Sequence, residues 1–154
     1  DDADVQAVKE AMWDPFEYLT ARKRDGLLKT DFSRPLGKVS YHVPCHTRVQ
    51  NMGRRTEELL KLVPETFVQT NERCSGHAGT FGVKKPFHAM AMKIGKPLFR
   101  KMAEHPQGGQ PDYISSDCPL GGHNINQGFE VNSLGAPQLA HPITLLRMAY
   151  VLPD

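Results

Sequence analysis

Three cysteines are too few, and odd in number, to staple a chain of 154 residues. Their spacing is not that of a small disulfide scaffold, so the thiols are expected to be free, in a reducing compartment. No apolar run approaches the roughly 18 residues of a membrane span, and the amino end has nothing of a secretory leader. Charge of one sign is lacking too. Nineteen Lys and Arg stand against seventeen Asp and Glu, a net of +2. The basic residues read as scattered among acidic ones, which argues against nucleic acid as a partner. No repeat or low-complexity tract occurs. The expectation is a cytoplasmic protein with no transmembrane segment. The chain opens at Asp1-Asp2 without a methionine, and a missing upstream region is expected.

What is present suits one core. Apolar residues make up 39% of the chain, enough for a single domain with an appendage. Residues 1–37 read as a helical appendage or linker, with Asp14-Pro15-Phe16-Glu17 as a helix start. Residues 38–154 read as the main domain. Its strands are expected at 39–43, 66–70 and 113–116, from β-branched and aromatic content bounded by turns. A crossover helix is expected over 47–63, with Val49, Met52, Leu59, Leu60 and Val63 inward. A long helix over 86–105 carries Phe87, Met90, Ile94, Leu98 and Met102 inward and is kinked or broken at Gly95-Lys96-Pro97. Residues 119–136 read as an irregular helix and loop, and Pro142 starts a final helix. Strands alternating with helices give an α/β fold: a parallel sheet of three or four strands, helices on both faces, Rossmann-like, in the order 2-1-3.

Each cysteine follows a strand. Cys45 comes after the first, Cys74 after the second and Cys118 after the third, so a parallel sheet sets all three along its carboxyl edge, where open α/β sheets bind ligands. Helix starts beside Cys45 and Cys118 favour the thiolate. Three thiolates alone rarely complete a zinc site or a cubane, so a fourth ligand is sought among His77, His123 and His46. His123 is placed slightly ahead, since Gly121 and Gly122 let the backbone fold it toward Cys118. Gly76, Gly79 and Gly82 permit close approach of a bulky cofactor to the loop. Their spacing matches neither the dinucleotide fingerprint nor a phosphate-binding loop. Arg73, Lys84 and Lys85 form a basic patch beside this loop. Three readings stand: an iron–sulfur electron carrier, a zinc site on the same ligands, and a cofactor-free thiol enzyme using a histidine-activated Cys45 or Cys118.

The segments Tyr41-His42-Val43-Pro44-Cys45-His46, Cys74-Ser75-Gly76-His77, Ile94-Gly95-Lys96-Pro97, Asp117-Cys118 and His141-Pro142-Ile143-Thr144 add a resemblance. Taken together, the chain resembles the cysteine-rich domain family found in the C subunit of anaerobic glycerol-3-phosphate dehydrogenase and in the B subunits of heterodisulfide reductases. The resemblance implies an iron–sulfur electron-transfer domain of an oxidoreductase, more an electron-transfer subunit than a complete enzyme. It also implies a redox partner protein or flavoprotein dehydrogenase subunit, an upstream ferredoxin-like domain, and a location peripheral to the inner membrane through partners. The family's Cys-Cys-Gly is here Cys74-Ser75-Gly76, and its Cys-x-x-Cys is Cys118-Pro119-Leu120-Gly121. Ligand positions therefore carry over to Cys45, Cys74 and Cys118 alone.

Overall fold

The computed structural model describes residues 2–150; the end of the 38–154 domain lies outside the described residues. The helices are α1 (Ala3–Ala11), α2 (Pro15–Arg24), α3 (Cys45–Val49), α4 (Arg55–Leu60), α5 (His88–Ala103), α6 (Pro119–Val131) and α7 (Pro142–Tyr150). The strands are β1 (Gly37–His42), β2 (Thr66–Asn71), β3 (Tyr113–Ser116) and β4 (Gln138–Leu139). They form one sheet in the order β2-β1-β3-β4, and every pairing is parallel. The expected 2-1-3 order holds, with a two-residue fourth strand added at one edge.

Alternation along β1 divides the interior into two cores. Val39, Tyr41 and Val43 point to one face, where they pack with Leu59 and Leu60 of α4 and with Leu145 and Ala149 of α7. Phe16 of α2 and Leu36 join this cluster, so the amino-terminal segment contributes to the core from Phe16 onward. Asp14 caps α2 by accepting from the Phe16 N–H at 2.8 Å, with Pro15 at the first turn as expected. Helix α1 buries none of its residues. On the other face Ile114 packs with Leu98, Phe99 and Met102 of α5 and with Ile125 and Phe129 of α6.

Expectations for three helical segments need correction. The 47–63 crossover is two short helices, because Asn51 and Gly53 take positive φ (53° and 72°) and break the run. Val49 is consequently exposed while Met52 is buried. Helix α5 is not broken: it runs on through Pro97, which sits on its exposed side, where the bond it cannot make is least costly. The inward face of α5 is also turned from the expected one: Met90 and Ile94 are exposed, and Ala91, Gly95, Leu98 and Phe99 are buried. The glycine-rich loop explains the turn. A Cβ on Gly76 would lie 2.1 Å from the Ala91 carbonyl oxygen, and one on Gly95 would lie 2.5 Å from the Ser75 carbonyl oxygen. Loop and helix meet backbone to backbone, which only the small residues of α5 allow. Finally, 119–131 is a regular helix, and its Gly128 lies against the Phe99 ring, where a Cβ would come within 2.3 Å.

Replacing Gly95 by alanine should therefore cost about 1–3 kcal/mol through overpacking. Gly79, at φ 62° with nothing near its missing Cβ, should cost only about 1–2 kcal/mol for its left-handed backbone when made alanine. Urea midpoints of the two variants check this, and a neutral Gly95→Ala would contradict the close packing of the loop on α5.

Candidate functional site

All three cysteines lie at the carboxyl edge of the sheet, each just beyond its strand. Cys45 opens α3, Cys74 follows β2 by three residues, and Cys118 is the N-cap of α6. The sulfurs accept polar hydrogens: Cys118 Sγ from the Gly121 N–H (3.3 Å), Cys74 Sγ from the Gly76 N–H (3.3 Å) and Cys45 Sγ from an Arg48 guanidinium N–H (3.4 Å).

A cavity of about 160 Å³ opens at this edge, lined by Cys45, Cys118, His46, His77, Ser75 and Gly121 among others. His77 is 8% exposed, and no described group hydrogen-bonds its ring. Ser75 is likewise buried, and its hydroxyl has no described partner. Cys74 is exposed and outside the lining. His123 is exposed on α6 and opens onto a neighbouring cleft with His141. The glycines expected to fold it back toward Cys118 are helical. Of the loop glycines, Gly79 lines the cavity, whereas Gly76 faces α5 and Gly82 faces the His77 backbone, 3.1 Å from a built Cβ.

The residue that sequence reasoning missed is His42. It pairs with Ser116 across β1 and β3, is 2% exposed, and uses both ring nitrogens. Nε2 lies 3.0 Å from the Arg73 carbonyl oxygen and Nδ1 lies 3.0 Å from Ser116 Oγ. A carbonyl can only accept, so Nε2 carries the proton and Nδ1 accepts from the serine hydroxyl. Ser116 Oγ in turn accepts the Cys118 N–H at 3.3 Å. One imidazole thus links the segments ahead of Cys74 and Cys118 to the strand ahead of Cys45. Burial lowers its pKa to about 4, with nearby Arg48 and His46 acting in the same direction against the Arg73 hydrogen bond. On the opposite face Asp117 accepts from the Tyr41 hydroxyl and, at 3.0 Å, from Thr56 of α4. Burial raises the pKa of both Asp117 and Tyr41, and the contacts fix the residue before Cys118 from a second side.

A family model described as a cysteine-rich domain matches residues 39–126, more than half of the chain. The chain belongs to the cysteine-rich domain family. The C subunit of anaerobic glycerol-3-phosphate dehydrogenase from Escherichia coli K12 is 34% identical to this cysteine-rich domain protein over 113 residues, and so is its counterpart from E. coli O157:H7. The alignment covers 73% of the chain and 26% of each relative, so the chain spans about a quarter of the length of those relatives.

The donors of this cysteine-rich domain fit a soft metal or a cluster in kind. The His77 imidazole is largely buried and has no hydrogen-bond partner among the described residues, yet its ring nitrogens are not shut off from solvent, so they stay available to a ligand; two sulfurs and the imidazoles of His42 and His46 line the same cavity. Among the described residues no three His, Cys, Asp or Glu side chains already stand close enough to hold an ion. The two positions where the family pattern carries further thiolates also face each other. A Cβ on Gly121 would lie 3.5 Å from Cys118 Sγ and 3.6 Å from Ser75 Oγ.

The depressed pKa of His42 sets an acid limit for the metal-free fold. Between its ordinary value of 6.5 and about 4, the unfolded chain binds a proton that the folded chain does not. Stability is therefore full above pH 6.5 and falls by about 1.4 kcal/mol per pH unit below it, a loss on the order of 3 kcal/mol near pH 4. Burial depresses His105 in the same direction, and the raised Asp117 works the other way. The His42→Gln variant therefore isolates the histidine. Its urea-derived stability should be lower at pH 7 and much flatter between pH 7 and 4, and a slope as steep as wild type would contradict the assignment.

Proposed function

We propose that this domain binds an iron–sulfur cluster at the carboxyl edge of its sheet and serves as the electron-transfer part of an oxidoreductase. The kind of oxidoreductase is the one named by its relatives, anaerobic glycerol-3-phosphate dehydrogenase. The observation that carries this reading is the cavity shared by Cys45, Cys118 and the partnerless, buried His77. These three would hold the cluster, with Cys74 closing over it from the rim. We assign the fourth ligand to His77, because His123 opens onto a different cleft.

When bound, such a cluster supplies a one-electron carrier whose potential is raised by imidazole in place of thiolate. The chain's own groups do the rest. The Gly76 and Gly121 N–H groups and Arg48 hydrogen-bond the sulfurs, and the His42 network holds the thiol segments in place. A redox partner protein or flavoprotein dehydrogenase subunit would exchange the electron. The domain would work in the cytoplasm, peripheral to the inner membrane through such partners. A second reading has its own support: the two thiols with two of the three imidazoles lining the cavity, those of His46 and His77, make up a tetrahedral zinc set.

Anaerobic reconstitution separates these readings. Incubation with iron and sulfide should give a brown protein with acid-labile sulfide, and Cys45→Ala, Cys74→Ala, Cys118→Ala or His77→Ala should each lose most of it. Ser75→Ala should matter far less. Retention of zinc with no uptake of iron or sulfide would favour the second reading. Equal metal content in wild type and all of the ligand variants would sink both.

The vacated corner can be refilled as a further check. In Ser75→Cys/Gly121→Cys, the new sulfur at 121 meets only ordinary contacts at its Cβ, so the double variant should fold and bind more iron per chain than wild type. Unchanged iron content would show that this corner is not part of the metal site.

A further inference from the structure

The basic residues are not all scattered among acidic ones, contrary to expectation: charge that balances over the whole chain is segregated along it. Residues 73–103 contain seven of the nineteen Lys and Arg and none of the seventeen Asp and Glu, leaving twelve basic residues against seventeen acids elsewhere. Arg73, Lys84, Lys85, Lys93, Lys96, Arg100 and Lys101 are all exposed, and none makes an ion pair with a described residue. An apolar strip runs through the same surface: Val83 (66% exposed), Phe87 (45%), Met90 (52%) and Ile94 (44%). Phe87, Met90 and Ile94 recur at three- and four-residue steps from the turn before α5 into the helix, so they share a side. Phe87 is backed by Phe81, stacked at 5.1 Å between centroids.

The close packing of the glycine loop puts this strip outside. Backbone contact at Gly76 and Gly95 seats the small side of α5 on the protein and leaves its larger residues toward solvent. The same loop lines the thiol cavity with His77, Ala78 and Gly79 before it reaches Val83. The strip and the cavity are therefore consecutive parts of one segment. Exposed apolar groups flanked by unpaired cations mark a surface for recognition.

We propose that Val83, Phe87, Met90 and Ile94, flanked by Lys84, Lys85 and Lys93, form the docking face for an acidic electron-carrier protein that exchanges electrons with the thiol site. This rests on the electron-transfer reading above. The basic flank steers an acidic partner and sets its orientation, while the apolar strip supplies the dry centre of a small, transient interface. Charge complementarity favours a protein, since the acid-free segment presents discrete side-chain anchors and not a membrane-inserting helix. Helix α5 already buries Leu98, Phe99 and Met102 in the core.

The test uses a plant-type ferredoxin, an acidic one-electron carrier, as the probe, with binding followed by calorimetry at low and high salt. Wild type should bind at low salt and lose at least about tenfold in affinity at high salt. Lys84→Glu/Lys93→Glu should abolish binding, and Met90→Ser/Ile94→Ser should weaken it about tenfold at unchanged salt dependence. Both should keep the wild-type circular dichroism and metal content. No binding at low salt, or equal binding by wild type and the charge variant, overturns the proposal. So does binding of anionic phosphatidylserine vesicles by wild type that the same variants lose, which would make this a membrane face. Failure of the cluster reading shows separately, as an absence of iron and sulfide in a domain that still binds the ferredoxin through these residues.

Discussion

A neutral imidazole at the end of the central strand is the constraint on which the edge of this sheet depends. Three parallel strands deliver three thiol-bearing segments to one side, but parallel pairing ends where the strands end, and the segments beyond are free to diverge. His42 prevents this. Its Nε2–H reaches the Arg73 carbonyl beyond β2, and its Nδ1 takes the Ser116 hydroxyl, whose oxygen receives the Cys118 N–H. Both roles require one proton on the ring. A second proton would set an Nδ1–H against the serine O–H, and would put a charge where burial disfavours it. The alignment of the thiol segments is thus tied to the protonation state of one side chain.

Backbone contact supplies the other half of the positioning. The loop after Cys74 contributes almost no apolar side chain to the core, so little hydrophobic burial holds it. It is held by proximity: Gly76 at φ 83° lies against the Ala91 carbonyl, and Gly95 lies under Ser75. Asn124 of α6 adds a buried donor to the Ser75 carbonyl at 2.6 Å. Ser75 and His77 are therefore fixed by α5 and α6 together, while their side-chain polar atoms have no described partner. Spending the backbone on anchorage leaves the side chains available to a ligand.

The strand order and the placement of thiols after strands were legible because both are local. β-Branched and aromatic runs between turn residues mark strands, and helices between them dictate parallel pairing. The Asp14-Pro15 start was legible for the same reason. What could not be read was decided by contacts between distant segments. His42 sits in a Tyr-His-Val run and reads as an ordinary inward strand residue; only its register with Ser116 gives it a role. The inward face of α5 was misread because hydrophobicity favours Met90 and Ile94, whereas the approach of the 74–82 loop demands Ala91 and Gly95. Gly121, Gly122 and Gly128 suggested an irregular helix and loop, yet they lie in a regular helix whose glycines serve close packing. The expected irregularity set His123 toward the thiols, whereas in the regular helix it lines the adjoining cleft.

The two departures from the family pattern make physical sense only together. Ser75 and Gly121 are 46 positions apart in sequence, yet they meet beside Cys118 Sγ. Had one thiolate been kept at this corner and the other lost, the remaining sulfur would stand beside Cys118 as a second negative centre with one neutralising ligand fewer. With neither present there is no such repulsion, and a hydroxyl and a bare glycine stand beside Cys118. His77, two residues past Ser75, then faces the same cavity without a partner. If the proposed cluster is bound, exchanging two thiolates for one imidazole would lower the negative charge that the donors bring, while the Gly76 and Gly121 N–H groups hydrogen-bond the sulfurs that remain. On the proposed reading, the corner would be a site with a changed ligand set and not an eroded copy of the family's own.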